Sequence, residues 1–120
     1  MNKNKIKTLW TKAEIIKAVF NKNQNNRNFQ ITNKITGVSI DSRTINPGDL
    51  FIALNGINHD GNLFIPEAIK KGASGIITTN LLISKKFRGL FVEDTMIAFQ
   101  KLAIFSKIFV SIFFKRCPKY

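Results

Sequence analysis

Leu50-Phe51-Ile52-Ala53-Leu54 is apolar at every position. A strand with one wet face alternates polar and apolar residues. An unbroken run of this kind needs cover on both sides, as in the sheet of an α/β fold. The run starts directly after the turn dipeptide Pro47-Gly48 and Asp49, and Asn55-Gly56 ends it. Ile76-Ile77-Thr78-Thr79 and Leu90-Phe91-Val92 read as two further short buried strands. Residues 29–31 and 35–40 read as extended segments with prominent β-branched residues.

Helical patterns alternate with these strands. Thr11 is an N-cap, and Glu14 three residues on completes a capping box. Ile15, Ile16, Val19 and Phe20 then give one apolar face. Residues 21–28 are rich in Asn, Gln and Lys and read as a surface loop. Leu63 or Phe64 opens a second helix, with Pro66 in its first turn and Ile65, Ala68 and Ile69 facing inward. Lys70-Lys71-Gly72 ends it with cations at the carboxyl dipole and a glycine beyond. Asp94 or Thr95 caps a last helix from Met96 to about Lys107. The expected class is α/β: a small mixed sheet flanked by helices.

Bulk properties narrow the function classes. With 120 residues the chain has room for one domain. A single cysteine, Cys117, leaves no internal disulfide, and with one histidine, His59, no zinc site is expected. A reducing, cytoplasmic setting fits. The formal charge of +12 invites a polyanion partner. The lysines are scattered, however, and no arginine-rich arm or aromatic-basic interleaving appears, so nucleic-acid binding is not expected. The most apolar stretch, 102–114, is interrupted by Lys107 and falls short of the ~20 residues of a membrane span. Held at a bilayer surface, the basic and apolar tail would be a third, weaker reading.

Two polar clusters sit between buried segments. Asp41-Ser42-Arg43 offers a carboxylate, a hydroxyl and a guanidinium at the mouth of the sheet. Such groups can hold a phosphate, a ribose or a uracil edge. They can equally form a turn in which Asp41 bonds its own backbone and Arg43 pairs with Asp49. In Asn58-His59-Asp60, a general base beside a carboxylate is conceivable, but sequence neighbours in a loop seldom face each other. A binding loop between Gly56 and Gly61 is the expectation. No G-x-x-x-x-G-K-[ST] or G-x-G-x-x-G motif is present.

The segments G-V-S-I-D-S-R-T-I-N-P-G-D-L-F-I-A-L-N-G and D-G-N-L-F-I-P-E-A-I-K-K-G-A-S-G-I-I resemble the N-terminal domain of the Mur ligases, the cytoplasmic ATP-dependent ligases of peptidoglycan synthesis. The match runs from about Trp10 to Ala103. Trp10-Thr11 and Val92-Glu93-Asp94-Thr95 favour the branch that adds D-alanyl-D-alanine over the branch that adds the third peptide residue. The resemblance implies that this domain grips the UDP moiety of a UDP-N-acetylmuramoyl-peptide. The implied contacts fall on Ile40, Ser42 and Arg43, and on Ile57, Asn58 and His59. ATP and Mg2+ are implied for the complete ligase and none for this chain. A separate polypeptide carrying the central and C-terminal domains is one partner the resemblance leaves open. The expected organisation is a polar lead over 1–9, the substrate-binding domain over 10–103 and an atypical apolar, basic tail over 104–120. The tail departs from the family and reads as a truncation or frameshift product. The family's usual D-G-H reads Asp60-Gly61-Asn62 here.

Overall fold

A computed structural model describes residues 9–21, 26–32, 34–57 and 59–105. The expectations for the lead over 1–8 and the tail beyond 105 therefore fall outside the described residues, as does Asn58. The elements in chain order are α1 (Lys12–Phe20), β1 (Gly37–Ser39), β2 (Asp49–Ile52), β3 (Asn55–Gly56), β4 (His59–Asp60), α2 (Ile65–Lys70), β5 (Gly75–Thr78), α3 (Leu81–Phe87), β6 (Leu90–Phe91) and α4 (Thr95–Phe105). Two 3-10 turns, Ser42–Thr44 and Gly61–Phe64, fill connections at the strand ends.

The main sheet has the order β1-β2-β5-β6 and is parallel throughout. Among the described residues, the β3–β4 hairpin and an isolated bridge between Trp10 and Ile35 are antiparallel. β2 and β5 lie in the middle, and every residue of both is buried. Their side chains alternate between two cores. Leu50, Ile52 and Ile77 join Ile15, Ile16 and Val19 of α1 and Ala98 and Leu102 of α4 on one face. Phe51, Ala53 and Ile76 join Ile65 and Ala68 of α2 on the other, with Ile83 and Phe87 of α3 packed alongside. The double cover inferred from the apolar run is thus a three-layer packing.

Helix α1 starts as expected. Thr11 Oγ1 accepts from the Glu14 N–H at 3.2 Å, and Glu14 Oε1 accepts from the Thr11 N–H at 2.9 Å. Asp94 Oδ1 takes the Ile97 N–H at the start of α4. At Pro47-Gly48, Gly48 has φ +96°, a conformation open to glycine. The Asp49 N–H closes that turn on Asn46 O at 3.0 Å.

Five expectations change. Residues 29–31 form no strand, although Phe29 is fully buried, and the extended run over 35–40 condenses to β1 with an isolated bridge from Ile35 to Trp10. Asn55-Gly56 does not simply end a strand but begins the hairpin. Ile69, expected to face inward with Ile65 and Ala68, is exposed in the last turn of α2. Helix α3 has no counterpart among the expected elements; Asn80 caps it by accepting the Ile83 N–H at 3.0 Å.

Two substitutions should separate local from global effects. Thr11→Ala should cost about 1 kcal/mol of stability through the lost cap. Ile52→Ala, in the fully buried centre of the sheet, should cost about 2–5 kcal/mol. Urea unfolding followed by circular dichroism measures both, and equal costs would contradict a core centred on β2.

Candidate functional site

A parallel sheet points all its strand carboxyl ends one way, and ligand crevices of α/β folds open there. β1 ends at Ser39 and β2 begins at Asp49, so the crossover between these parallel neighbours spans residues 40–48. That is too short for a packed helix of ordinary length. The chain uses the Ser42–Thr44 turn instead, which sets Ile40, Asp41, Ser42 and Arg43 along the rim. From the next strand, Leu54 and the β3–β4 hairpin rise beside them. Ile40, Asp41, Ser42, Arg43, Phe51, Leu54, His59 and Phe64 together line a cleft of about 530 Å³.

The rim's charges are spent on one another. Arg43 Nη2 donates to Asp41 Oδ2 at 2.8 Å and Arg43 Nε to Asp41 Oδ1 at 3.1 Å. The Arg43 backbone N–H also donates to Asp41 Oδ1, at 2.9 Å. The pairing of Arg43 with Asp49 considered from the sequence does not occur. Asp49 is buried and accepts the Asn46 N–H at 2.9 Å. The Arg43 side chain, and then its backbone N–H, hold the Asp41 carboxyl down at about 2 against its ordinary 3.8.

Ser42 is 5% exposed. Its Oγ donates to Glu67 Oε1 of α2 at 3.1 Å, and Lys71 Nζ donates to the Ser42 carbonyl at 3.1 Å. Lys71 also pairs with Glu67 Oε2 at 3.1 Å. Lys71 first, and then Ser42, lower the Glu67 carboxyl below its ordinary range.

The opposite wall is fixed by a buried amide. Asn62 Oδ1 accepts from the Thr78 hydroxyl, and Asn62 Nδ2 donates to Thr79 Oγ1 at 3.3 Å. Asn55 Nδ2 reaches the same Thr79 oxygen at 2.9 Å, so both ends of the hairpin segment are tied to the end of β5. Asp60 Oδ1 accepts the Asn62 N–H at 3.0 Å and does not orient His59. His59 instead lies nearly parallel to Phe64, with 5.5 Å between ring centroids. Gly61 sits against the β2 terminus: an added methyl carbon would lie 2.6 Å from Leu54 O and 2.7 Å from Leu54 N.

Of the six residues carried over by resemblance, Ile40, Ser42, Arg43 and His59 share the cleft. Ile57 is fully exposed at the hairpin tip and is not among the lining residues. Phe51, Leu54, Phe64 and the supporting Glu67 carry no such signal in the resemblance. The i, i+4 spacing of Glu67 and Lys71 is the one sequence cue to the last of these.

The Mur ligase family model ("Mur ligase family, catalytic domain") matches residues 34–103. This chain belongs to the Mur ligase family. It is 36% identical over 72 residues to the UDP-N-acetylmuramoyl-tripeptide–D-alanyl-D-alanine ligase of Synechocystis, covering 58% of this chain and 16% of the relative. It is 36% identical over 89 residues to the UDP-N-acetylmuramoyl-L-alanyl-D-glutamate–2,6-diaminopimelate ligase of Rickettsia montanensis, covering 72% of this chain and 16% of the relative. The chain thus spans about a sixth of the length of these two Mur ligases. The crystal structure of MurF from Acinetobacter baumannii aligns with a TM-score of 0.62 at 25% identity, over 80% of this chain and 20% of that one.

Two measurements test the site's construction. Asp41 has a lowered folded pKa, so its contribution to stability is complete above 3.8 and fades as pH falls towards about 2. Carboxyl NMR titration should place its midpoint near 2, and Arg43→Ala should move that midpoint back towards 3.8 without reaching it, since the backbone N–H remains. Gly61→Ala should cost about 1–3 kcal/mol in urea unfolding through overpacking against backbone.

Proposed function

We propose that this Mur ligase chain recognises the UDP end of a UDP-N-acetylmuramoyl-peptide in peptidoglycan precursor synthesis, in the cytoplasm. The observation that carries the reading is the convergence of Ile40, Ser42 and Arg43 with His59 on one cleft at the carboxyl ends of β1 and β2. Ile57, exposed beside β3, and Asn58, which the resemblance adds, complete the candidate contacts. Both kinds of relative carry UDP-N-acetylmuramoyl in their names, so the nucleotide end is what they share. For the complete ligase we favour the MurF reaction, ATP-driven joining of D-alanyl-D-alanine to the tripeptide. The A. baumannii MurF likeness and the Trp10-Thr11 opening support it.

The substrate-binding unit is proposed to span 10–103. ATP and Mg2+ are proposed for the complete ligase, and no chemical step is derived for this chain.

A two-dimensional NMR titration of the full chain with UDP tests the proposal. Shifts should concentrate on Ile40, Ser42, Arg43, His59 and Phe64, and Ser42→Ala should weaken binding about tenfold, the scale of one hydrogen bond left unmade. Shifts scattered over the lysines, and vanishing steeply with added salt, would instead mark nonspecific polyanion binding.

A further inference from the structure

We infer that the outer face of α3 docks on an anionic lipid bilayer, with Leu81 and Leu82 entering the headgroup layer and Lys85, Lys86, Arg88 and Arg27 meeting lipid phosphates. This surface uses no residue of the cleft, and the inference does not rest on the UDP reading.

A surface helix turns its apolar residues to the core and its polar ones to water. Helix α3 does the first with Ile83 and Phe87, four residues apart, which pack on the core beneath. It does not do the second. Leu82 is 77% exposed and Leu81 is 49% exposed. Each stands one turn before a lysine, Leu81 before Lys85 and Leu82 before Lys86, so leucines and lysines share the outer face. A single exposed leucine is ordinary. Two in succession, followed by cations, have the composition of an interfacial helix.

The fold gathers the cations and leaves them without acidic partners. Residues 15–40 and 68–92 contain no Asp or Glu. Asn28 Nδ2 donates to Ser84 O at 2.9 Å and to Gly89 O at 3.0 Å, and the Gln30 N–H donates to Arg88 O at 3.0 Å. These bonds lay the first acid-free stretch against the second and bring the exposed Arg27 to the end of α3. Among the described residues no carboxylate pairs with Arg27, Lys85, Lys86 or Arg88. Lys86 Nζ lies over the Phe87 ring, 5.4 Å from its centroid. Arg88 adds an independent sign. It ends α3 at φ +55°, in the left-handed region where glycine is at ease and a side chain is strained. A strained residue at the surface points to a use for its side chain.

The leucines decide between polyanions. A nucleic acid would meet the cations with phosphates and leave Leu81 and Leu82 in water. A bilayer offers phosphates at its surface and hydrocarbon just beneath, and lysine stems span the two. The contact is peripheral: no described helix is long and apolar enough to cross a membrane.

Flotation of the full chain with phosphatidylcholine vesicles, with and without phosphatidylglycerol, tests the inference. Binding should require phosphatidylglycerol and weaken as salt rises. Lys85→Gln combined with Lys86→Gln should weaken it about twentyfold, at about fivefold per cation. Leu82→Ser, at an exposed position that leaves the core intact, should weaken it about tenfold. Lys12→Gln combined with Lys17→Gln removes the same charge from α1, in the opposite layer, and should leave binding nearly unchanged. Equal losses in the two double variants would mark a diffuse field and overturn the inference. Binding that ignores Leu82→Ser, or that a DNA duplex competes away from the vesicles, would assign the face to a polyanion without hydrocarbon and also overturn it. So would failure of the native chain to bind anionic vesicles.

Discussion

β2 is covered on both faces and hydrogen-bonded along both edges, to β1 and to β5. Such a strand has no place for a polar side chain between its ends, since an unpaired polar group there would cost on the order of a hydrogen bond or more. The chemistry of this chain is therefore pressed to the strand termini. At the amino end, buried Asp49 is consumed in closing the turn that precedes it. At the carboxyl end, Leu54, the hairpin and the crossover from β1 meet around open space. The cleft lies at the end of the sheet where the backbone has finished pairing.

The same logic explains how a chain of net charge +12 carries a nearly neutral cleft. Asp41 takes Arg43, and Glu67 takes Lys71. The first pair shapes the turn, and the second fastens that turn to α2. The surplus lysines contribute a diffuse field, which speeds encounter with an anionic ligand but does not orient it. Orientation is left to hydrogen bonds of defined polarity and to the shape of apolar walls.

What is legible in the sequence follows from the same physics. The double cover of β2 is plain because it is written in consecutive residues 50–54. The caps at Thr11 and Asp94 are plain because their partners lie three residues away. The presence of Ile40, Ser42, Arg43 and His59 on one cleft follows from family resemblance and not from spacing. The partner of Arg43 is ambiguous because Asp41 and Asp49 are both near in sequence, and the tight turn brings the closer one into line. Helix α3 is hidden because its exposed side carries Leu81 and Leu82, which blur the amphipathic pattern. The support of Ser42 by Glu67 spans 25 positions, and only the fold brings the two together.

Asn62 stands where a histidine is usual in the resembling segment, and its surroundings explain why an amide serves. Thr78 is fully buried, and its hydroxyl already accepts the Asn80 N–H at 3.0 Å, so its proton needs an acceptor. Thr79 Oγ1, one residue on, lies within reach of a donor. A single carboxamide carries an acceptor oxygen and a donor nitrogen on one carbon, so it meets two adjacent threonines from one position. A neutral imidazole carries its acceptor and its donor on different sides of a ring, and would serve one threonine while turning from the other. The exchange thus gives up a titratable ring for a neutral clamp. It leaves His59, stacked on Phe64, as the imidazole on the cleft wall. The wall's position therefore depends on Asn62, while the side chains that line it are His59 and Phe64.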